Sequence, residues 1–550
     1  MRKYVADLKN TGANGVDRVP ASVFKDAFTV LETEILHLAN ISLATSTFPR
    51  CLKVTKLLPN LKMGKGKLHP SSYRPISSLT MMAKILERCG FDQVDRHLAT
   101  NNIICNEQHG GRQGHSTTTC LAEISEQLLK AKEENLVCAM TAIDLSAAYD
   151  LCSHSILDEQ LRLAGMGPDT RLWITSFLSN RQQLVEIEGE WSLTQPSLNF
   201  GLCQGGRSSG TLFTIYTNSL PSAITTNLPK HLALPKRTTE NSEKSKLTKQ
   251  APKKQQSKTF ANQFIDDTTI TTTAKTIAEL QTLTQNAYSA IEKRLIKLEM
   301  KINPEKTQLM MMDTKLTDTP ISIQAGNQTI HHQDTLRVLG YTFASSGKQD
   351  EHIWKGKLSL TKSIYRKMAM LKILKPFVTM EQLSYIGNSV VNSLLLYAAP
   401  IWSLTTESNI DKLQIAQIKT ARTTKWDFRQ NKKKEKTHRQ DLLSELNWLN
   451  VRQLLTSATI NIVRSSANNE SSNGLNSLFN FNLNNNVRSI YQNKIINTFS
   501  SKRKCKSLHE TGTRLYNSLP PQIRDKKTWH YTFKKAIKLH MLELFHLKKH

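Results

Sequence analysis

Cysteine is sparse in this sequence, and none of it is paired. Eight residues, at 51, 89, 105, 120, 138, 152, 203 and 505, are scattered with no C-x-x-C spacing. That argues against a zinc knuckle and a disulfide framework, and points to a reducing compartment. Long apolar runs are missing as well. The longest, near "SLLLYAAPIW" (393–402), is far too short to span a bilayer, and the opening MRKYVADLKN has no secretory core. These absences point to an intracellular protein with no membrane partner. Acidic residues are in deficit: 45 Asp and Glu stand against 74 Lys and Arg, a net charge of +29. Such an excess predicts strong binding to a polyanion. Nucleic acid is the commonest one, with an affinity that falls as salt rises.

What is present reads as a globular chain. At 550 residues and 39% hydrophobic content, the length prior gives about three or four domains. A helical pattern in "SVFKDAFTVLETEILHLAN" is followed by a short strand, a basic Gly-containing turn, an extended segment around Tyr73–Arg74–Pro75 and a further helix. Residues 115–135 have helical apolar spacing, and "LVCAMTAIDLSAAYD" (136–150) opens as a buried strand that ends in Asp144. Residues 222–262 form a basic island too polar to build a core, hence a loop. An amphipathic helix over 278–303 runs into Asn303–Pro304. A helical region over 355–430 closes in the basic run NKKKEKTHR (431–439). Residues 467–486, rich in Asn and Ser, read as a linker before a final basic helix.

The chemistry points to QFIDDTTI (263–270), where Asp266 and Asp267 stand side by side between two strand-like runs. Alone, the pair reads first as a turn, because Asp is a common turn residue. Asp144 at the end of another apolar strand changes the picture. If those strands neighbour each other, three carboxylates meet at one sheet edge, where unpaired like charges repel. Divalent cations hold such a group together. Mg²⁺ prefers hard oxygen ligands and usually combines one or two carboxylates with substrate phosphates. Two such ions promote in-line phosphoryl transfer.

The order of segments resembles the reverse transcriptase of a non-LTR (LINE-type, jockey/CR1-like) retrotransposon. "SSYRPISSLTMMAKILE" resembles the fingers motif and "QHGGRQGHSTT" the block after it. "AIDLSAAYDLCSHSIL" resembles the motif of the first catalytic Asp, "GLCQGGRSSGTLFTIYTNSLP" the Gln–Gly motif and "QFIDD" the Asp–Asp box. "LEMKINPEKTQLM" and "LRVLGYTF" resemble the last palm motifs. "LLLYAAPIW" and "GTRLYNSLPPQIR" resemble thumb and tail segments.

The resemblance implies an α+β, right-hand polymerase. Its parts would be an N-terminal extension (1–50), fingers (51–135), a ferredoxin-like palm (136–345) carrying the basic insertion 222–262, a helical thumb (346–440) and a mostly helical, basic C-terminal region (441–550). It implies that Asp144 and Asp266, with Asp267 beside them, hold two Mg²⁺ ions, for which Mn²⁺ could substitute. Lys306 would give a proton to the leaving pyrophosphate. Tyr149 would lie beneath the incoming sugar and favour deoxynucleotides. Gln204 and Gly205 would support the template and nascent pair, and Arg74 and Lys62 would meet the triphosphate. The implied partners are an RNA template, a DNA primer and deoxynucleoside triphosphates. The implied place is the nucleus and cytoplasm, as a ribonucleoprotein.

The sequence departs from the family pattern in three ways. Ile265 stands where Ala is usual, Gly210 where Pro is usual, and the basic island lengthens a connection. Only about 50 residues precede the fingers, too few for the endonuclease these elements usually encode. Nicking activity is therefore expected from elsewhere. The competing expectation is an inactive remnant that binds nucleic acid through its basic surface.

Overall fold

The computed structural model describes residues 1–10, 14–62, 64, 66–192, 200–226, 257–312, 320–425, 441–479, 494–495, 507–524 and 530–547. Most of the basic island, its residues 227–256, and the whole run 431–439 lie outside the described residues. The chain divides into two compact units. One comprises Met1–Gly111, Asp144–Asn227 and Ser289–Asn303; the other comprises Arg112–Ile143, Leu228–Tyr288 and Pro304–His550. Two four-stranded sheets use β1 (Val54–Leu61), β2 (Tyr73–Ser78), β3 (Val137–Ile143), β4 (Gln182–Ile187), β5 (Glu190–Trp191), β6 (Lys258–Phe264), β7 (Asp267–Ala274) and β8 (Gln308–Met311).

In the first unit the sheet order is β2-β1-β4-β5. β1 runs antiparallel to β2, with Asn60 opposite Arg74 and Pro59 opposite Pro75, and parallel to β4 over Val54–Leu57. Pro75 is tolerated because β2 is an edge strand, and Pro59 lies beyond the part of β1 that pairs with β4. Thr80 opens the helix Met81–Thr100 by accepting the Ala83 N–H at 3.2 Å. Phe48, Phe91, Trp173 and Phe177 form a buried aromatic cluster in which Phe48 and Phe91 each meet Trp173 and Phe177 edge to face, with Phe48 and Phe177 centred 5.0 Å apart. The indole N–H of Trp173 donates to Ser42 Oγ at 3.0 Å, so its burial leaves no donor unmet.

In the second unit the sheet order is β6-β7-β3-β8, and every neighbouring pair is antiparallel. Helices lie between β3 and β6 in the chain, and the helix Ile277–Lys297 lies between β7 and β8. That chain order, with the first strand placed between the third and fourth, is the ferredoxin-like arrangement. β7 reads DTTITTTA and buries every residue after Asp267, a use of β-branched side chains suited to a packed strand. The helix Thr117–Glu133 packs on β3, β6 and β7. It starts from a reciprocal cap between Ser116 and Thr119. One continuous core runs from Met140 and Met310 of this sheet through Leu336, Val391 and Trp402 to Phe533 and Ile537 of the final helix His530–Leu547.

The expected linker at 467–486 is corrected over its first part. The helix Val451–Ala467 is followed by a short helix, Asn473–Asn476, and Leu475 and Phe479 are both buried in the same core. An Asn shapes the turn here: Asn476 donates to the Ser471 carbonyl at 2.9 Å. Two apolar anchors outweigh the polar composition. Residues 480–486 lie outside the described residues.

Candidate active site

The hairpin β6–β7 places the paired aspartates one residue further along than a simple Asp–Asp turn. Phe264 pairs with Asp267, so the two turn residues are Ile265 and Asp266, and Asp267 begins β7. A two-residue hairpin needs positive φ at its first central position, and Ile265 adopts φ +60°. A β-branched residue is disfavoured there by roughly 1–3 kcal/mol. The departure from Ala recorded in the sequence therefore falls on the strained position. Asp266 is half-buried and Asp267 exposed. The Cys120 thiol is pushed up first by its burial, then by the charges of Glu123 and Asp267, which places the Asp267 carboxylate in that neighbourhood.

Register fixes what else reaches this end of the sheet. Ile143, the last residue of β3, pairs with Thr268, and Ala142 pairs with Gln308 at the start of β8. Asp144 is the residue after Ile143, and Lys306 lies two residues before Gln308. Within the first unit the Asp144 carbonyl accepts the Asn303 N–H at 2.8 Å, and Leu145 bridges Ile302. Asp144 is half-buried and Lys306 exposed. Among the described residues, no three His, Cys, Asp or Glu side chains are grouped so as to hold a metal ion by themselves.

The first unit brings the Tyr149 and Gln204 segments together. The Leu202 N–H donates to the Tyr149 carbonyl, and the Gly201 N–H to the Cys152 carbonyl, each at 2.8 Å. Gln204 Nε2 donates to Asp150 Oδ1 at 3.0 Å. The Tyr149 ring is half-buried and stacks on buried Phe213, with centroids 5.1 Å apart and planes 26° apart. Gly205 has φ +108°, and a Cβ there would stand 3.0 Å from the Ser77 carbonyl oxygen. Both facts require glycine. Ser77 also donates its N–H to the Gln204 carbonyl at 2.6 Å, which ties this loop to β2.

Arg74 is exposed on β2. Lys62 is half-buried, and its Nζ donates to the Ser71 carbonyl at 2.8 Å, closing the loop that joins β1 to β2. Sequence reasoning missed Asp150. A single polar residue beside Tyr149 carries no periodic signal, and its role is visible only once Gln204 is seen to donate to it.

Comparison with known proteins agrees with these motifs. Residues 62–343 match the family described as reverse transcriptase (RNA-dependent DNA polymerase). A probable RNA-directed DNA polymerase from transposon BS of Drosophila melanogaster is 24% identical over 396 residues, covering 70% of this chain and 40% of that protein. The RNA-directed DNA polymerase from mobile element jockey of the same species is 24% identical over 384 residues, covering 70% of this chain and 39% of that protein. The chain thus spans about two fifths of the length of these curated relatives. Among solved structures, telomerase from Candida tropicalis with a fragment of telomeric RNA aligns at 11% identity and a TM-score of 0.34, over 79% of this chain and 67% of that one. With the match at 62–343 running from Lys62 past the Asp–Asp hairpin and Lys306, and covering more than half of the residues, this chain belongs to the reverse transcriptase family, beside members from LINE-type mobile elements.

Proposed function

We propose that the chain is an RNA-directed DNA polymerase, which copies retrotransposon RNA into DNA by adding deoxynucleotides to a primer 3′ end. The observation that supports this most is the register of the β6-β7-β3-β8 sheet. It sets the turn holding Asp266, the start of β7 at Asp267 and the approach to Lys306 at one end of the sheet, the end where β3 stops at Ile143.

The donor set suits a hard divalent cation, because all three candidates are carboxylates and Mg²⁺ completes its shell with water and substrate phosphates. Bound by Asp144 and Asp266 with Asp267 alongside, two Mg²⁺ ions would supply Lewis acidity at the attacking 3′-hydroxyl and the leaving phosphate oxygen. The chain's own groups supply the rest. Lys306, exposed before β8, gives a proton to the departing pyrophosphate. Tyr149, backed by Phe213, presents a ring that a 2′-hydroxyl would meet. Gln204, oriented by Asp150, and the bare backbone of Gly205 support the template and nascent base pair. Arg74 offers its planar fork to the triphosphate, and Lys62 adds charge while holding its loop.

On this reading residues 51–135 act as fingers, 136–345 as palm and 346–440 as thumb. RNA template, DNA primer and deoxynucleoside triphosphates are the substrates. The protein works as a ribonucleoprotein in cytoplasm and nucleus. Primer extension on an RNA template, with Asp266→Asn in parallel, tests the proposal. Binding without extension in either form would instead mark a remnant.

A further inference from the structure

We infer that Glu87 is a positioning residue for the template-supporting loop: its buried carboxylate fixes the start of the helix Arg207–Thr217, and through it the backbone of Gln204 and Gly205. The inference rests on the reading of that loop as a template contact.

Glu87 lies on the helix Met81–Thr100 and is 2% exposed. Its Oε1 accepts both the backbone N–H of Ser208, at 2.9 Å, and the Ser208 hydroxyl, at 2.5 Å. Ser208 is the second residue of its helix, so its N–H has no acceptor within the helix. The residue at the cap position is Gly206, which has no side chain to offer. A carboxylate from a distant segment does the capping, and its negative charge suits a helix N-terminus.

The contact reaches the loop directly. A Cβ on Gly206 would stand 3.1 Å from Glu87 Oε1, so carboxylate and loop backbone meet at close range. Ser209 Oγ donates to the Cys203 carbonyl at 2.6 Å and closes the loop on itself. At its other end Gln204 is held by the Ser77 N–H. The helix Met81–Thr100 continues the clamp two turns on, where Arg207 pairs with Asp92 and Asp95 and Thr211 Oγ1 donates to Asp95 Oδ1 at 2.9 Å. Glu87 and Asp95 are eight residues apart and share a helix face.

Burial pushes the Glu87 carboxyl up. The two bonds from Ser208 act against that, with help from the charges of Arg181 and Arg207. A buried charge is costly unless well partnered, and an apolar residue would fill the space more cheaply. Its geometry therefore favours a directing role over a packing one.

Glu87→Gln and Ser208→Ala test this in the full chain by two independent measurements. Backbone hydrogen exchange without nucleic acid should quicken about tenfold over 203–210 in both variants, the loss expected for one hydrogen bond to a charged group, with β3 unaffected. Steady-state extension should show template KM raised about tenfold and kcat changed less than about threefold. Exchange unchanged over 203–210, or quickened equally across the chain, would overturn the inference. So would an unchanged template KM in variants whose loop exchange has quickened. If the unmodified chain extends no primer, the polymerase reading fails alone, since the exchange measurement does not depend on catalysis.

Discussion

Ile143 stands opposite Thr268 across the β3–β7 ladder. That one pairing sets the start of β7 beside the end of β3. β7 starts with Asp267, the turn before it holds Asp266, and β3 gives way to Asp144. A slip of one residue would turn every side chain of β3 to its opposite face. β3 is buried on both faces, with Cys138 and Met140 on one and Ala139, Thr141 and Ile143 on the other, so such a slip would disturb two packed layers at once.

Ile265 carries strain that can be removed. Glycine accepts φ +60° without cost, whereas isoleucine does not. After the loss of some side-chain burial, Ile265→Gly should stabilise the protein by about 1 kcal/mol. Chemical denaturation checks this, and a lower midpoint would mean that the Ile265 side chain contributes more than its backbone costs.

Gly205 is the opposite case. With φ +108° and only 3.0 Å between a Cβ and the Ser77 carbonyl oxygen, Gly205→Ala should destabilise the fold by roughly 1–3 kcal/mol. The measurement is thermal unfolding, and a variant that melts with the native protein would refute the close approach.

Much of this was legible in the sequence. The apolar run to Asp144 and the strand-like segments around Asp266 follow from composition, because β3 and β7 are buried along nearly their whole length, and the helix before Asn303 follows from its apolar stripe. The turn itself was legible only approximately: which residues sit at its tip depends on the Phe264–Asp267 pairing, a cross-strand fact with no local signature. Residues 467–479 read as a linker because composition weighs Asn and Ser by number, whereas Leu475 and Phe479 act by burial. Glu87 and Asp150 were invisible for another reason. Their partners, Ser208 and Gln204, are 121 and 54 residues away.

His352 makes stability depend on acid. It sits in the π-helical turn Glu351–Lys355, its ring centred 4.3 Å from that of Tyr341, and its Nδ1 accepts the Thr342 N–H. Burial, with the charge of Arg337 adding to it, lowers its pKa to about 4. The unfolded chain then binds the extra proton first. Stability is complete above about pH 6.5 and falls as pH drops toward 4, by up to about 3 kcal/mol from this group. Denaturant titrations between pH 7.5 and 4.5 should show that slope, and His352→Leu should flatten it. An unchanged slope in the variant would assign it to other groups.

Tyr149→Val should remove the ring proposed to meet the sugar while leaving Phe213 in place. Preference for deoxynucleotides over ribonucleotides should fall about 10- to 100-fold, the range expected for removing one steric block. Competition between the two in single-nucleotide extension measures it, and an unchanged ratio would confine Tyr149 to packing.

The central claim is that the aspartates at the β6–β7 turn serve polymerisation. The direct measurement is primer extension by the purified chain on a primed RNA template with deoxynucleotides and Mg²⁺, beside Asp266→Asn, at several salt concentrations. The account predicts extension by the native chain, its loss by at least about a thousandfold in the variant, and equal, salt-sensitive binding of the primed template by both. Extension that persists in Asp266→Asn, or binding without extension in both, would contradict it.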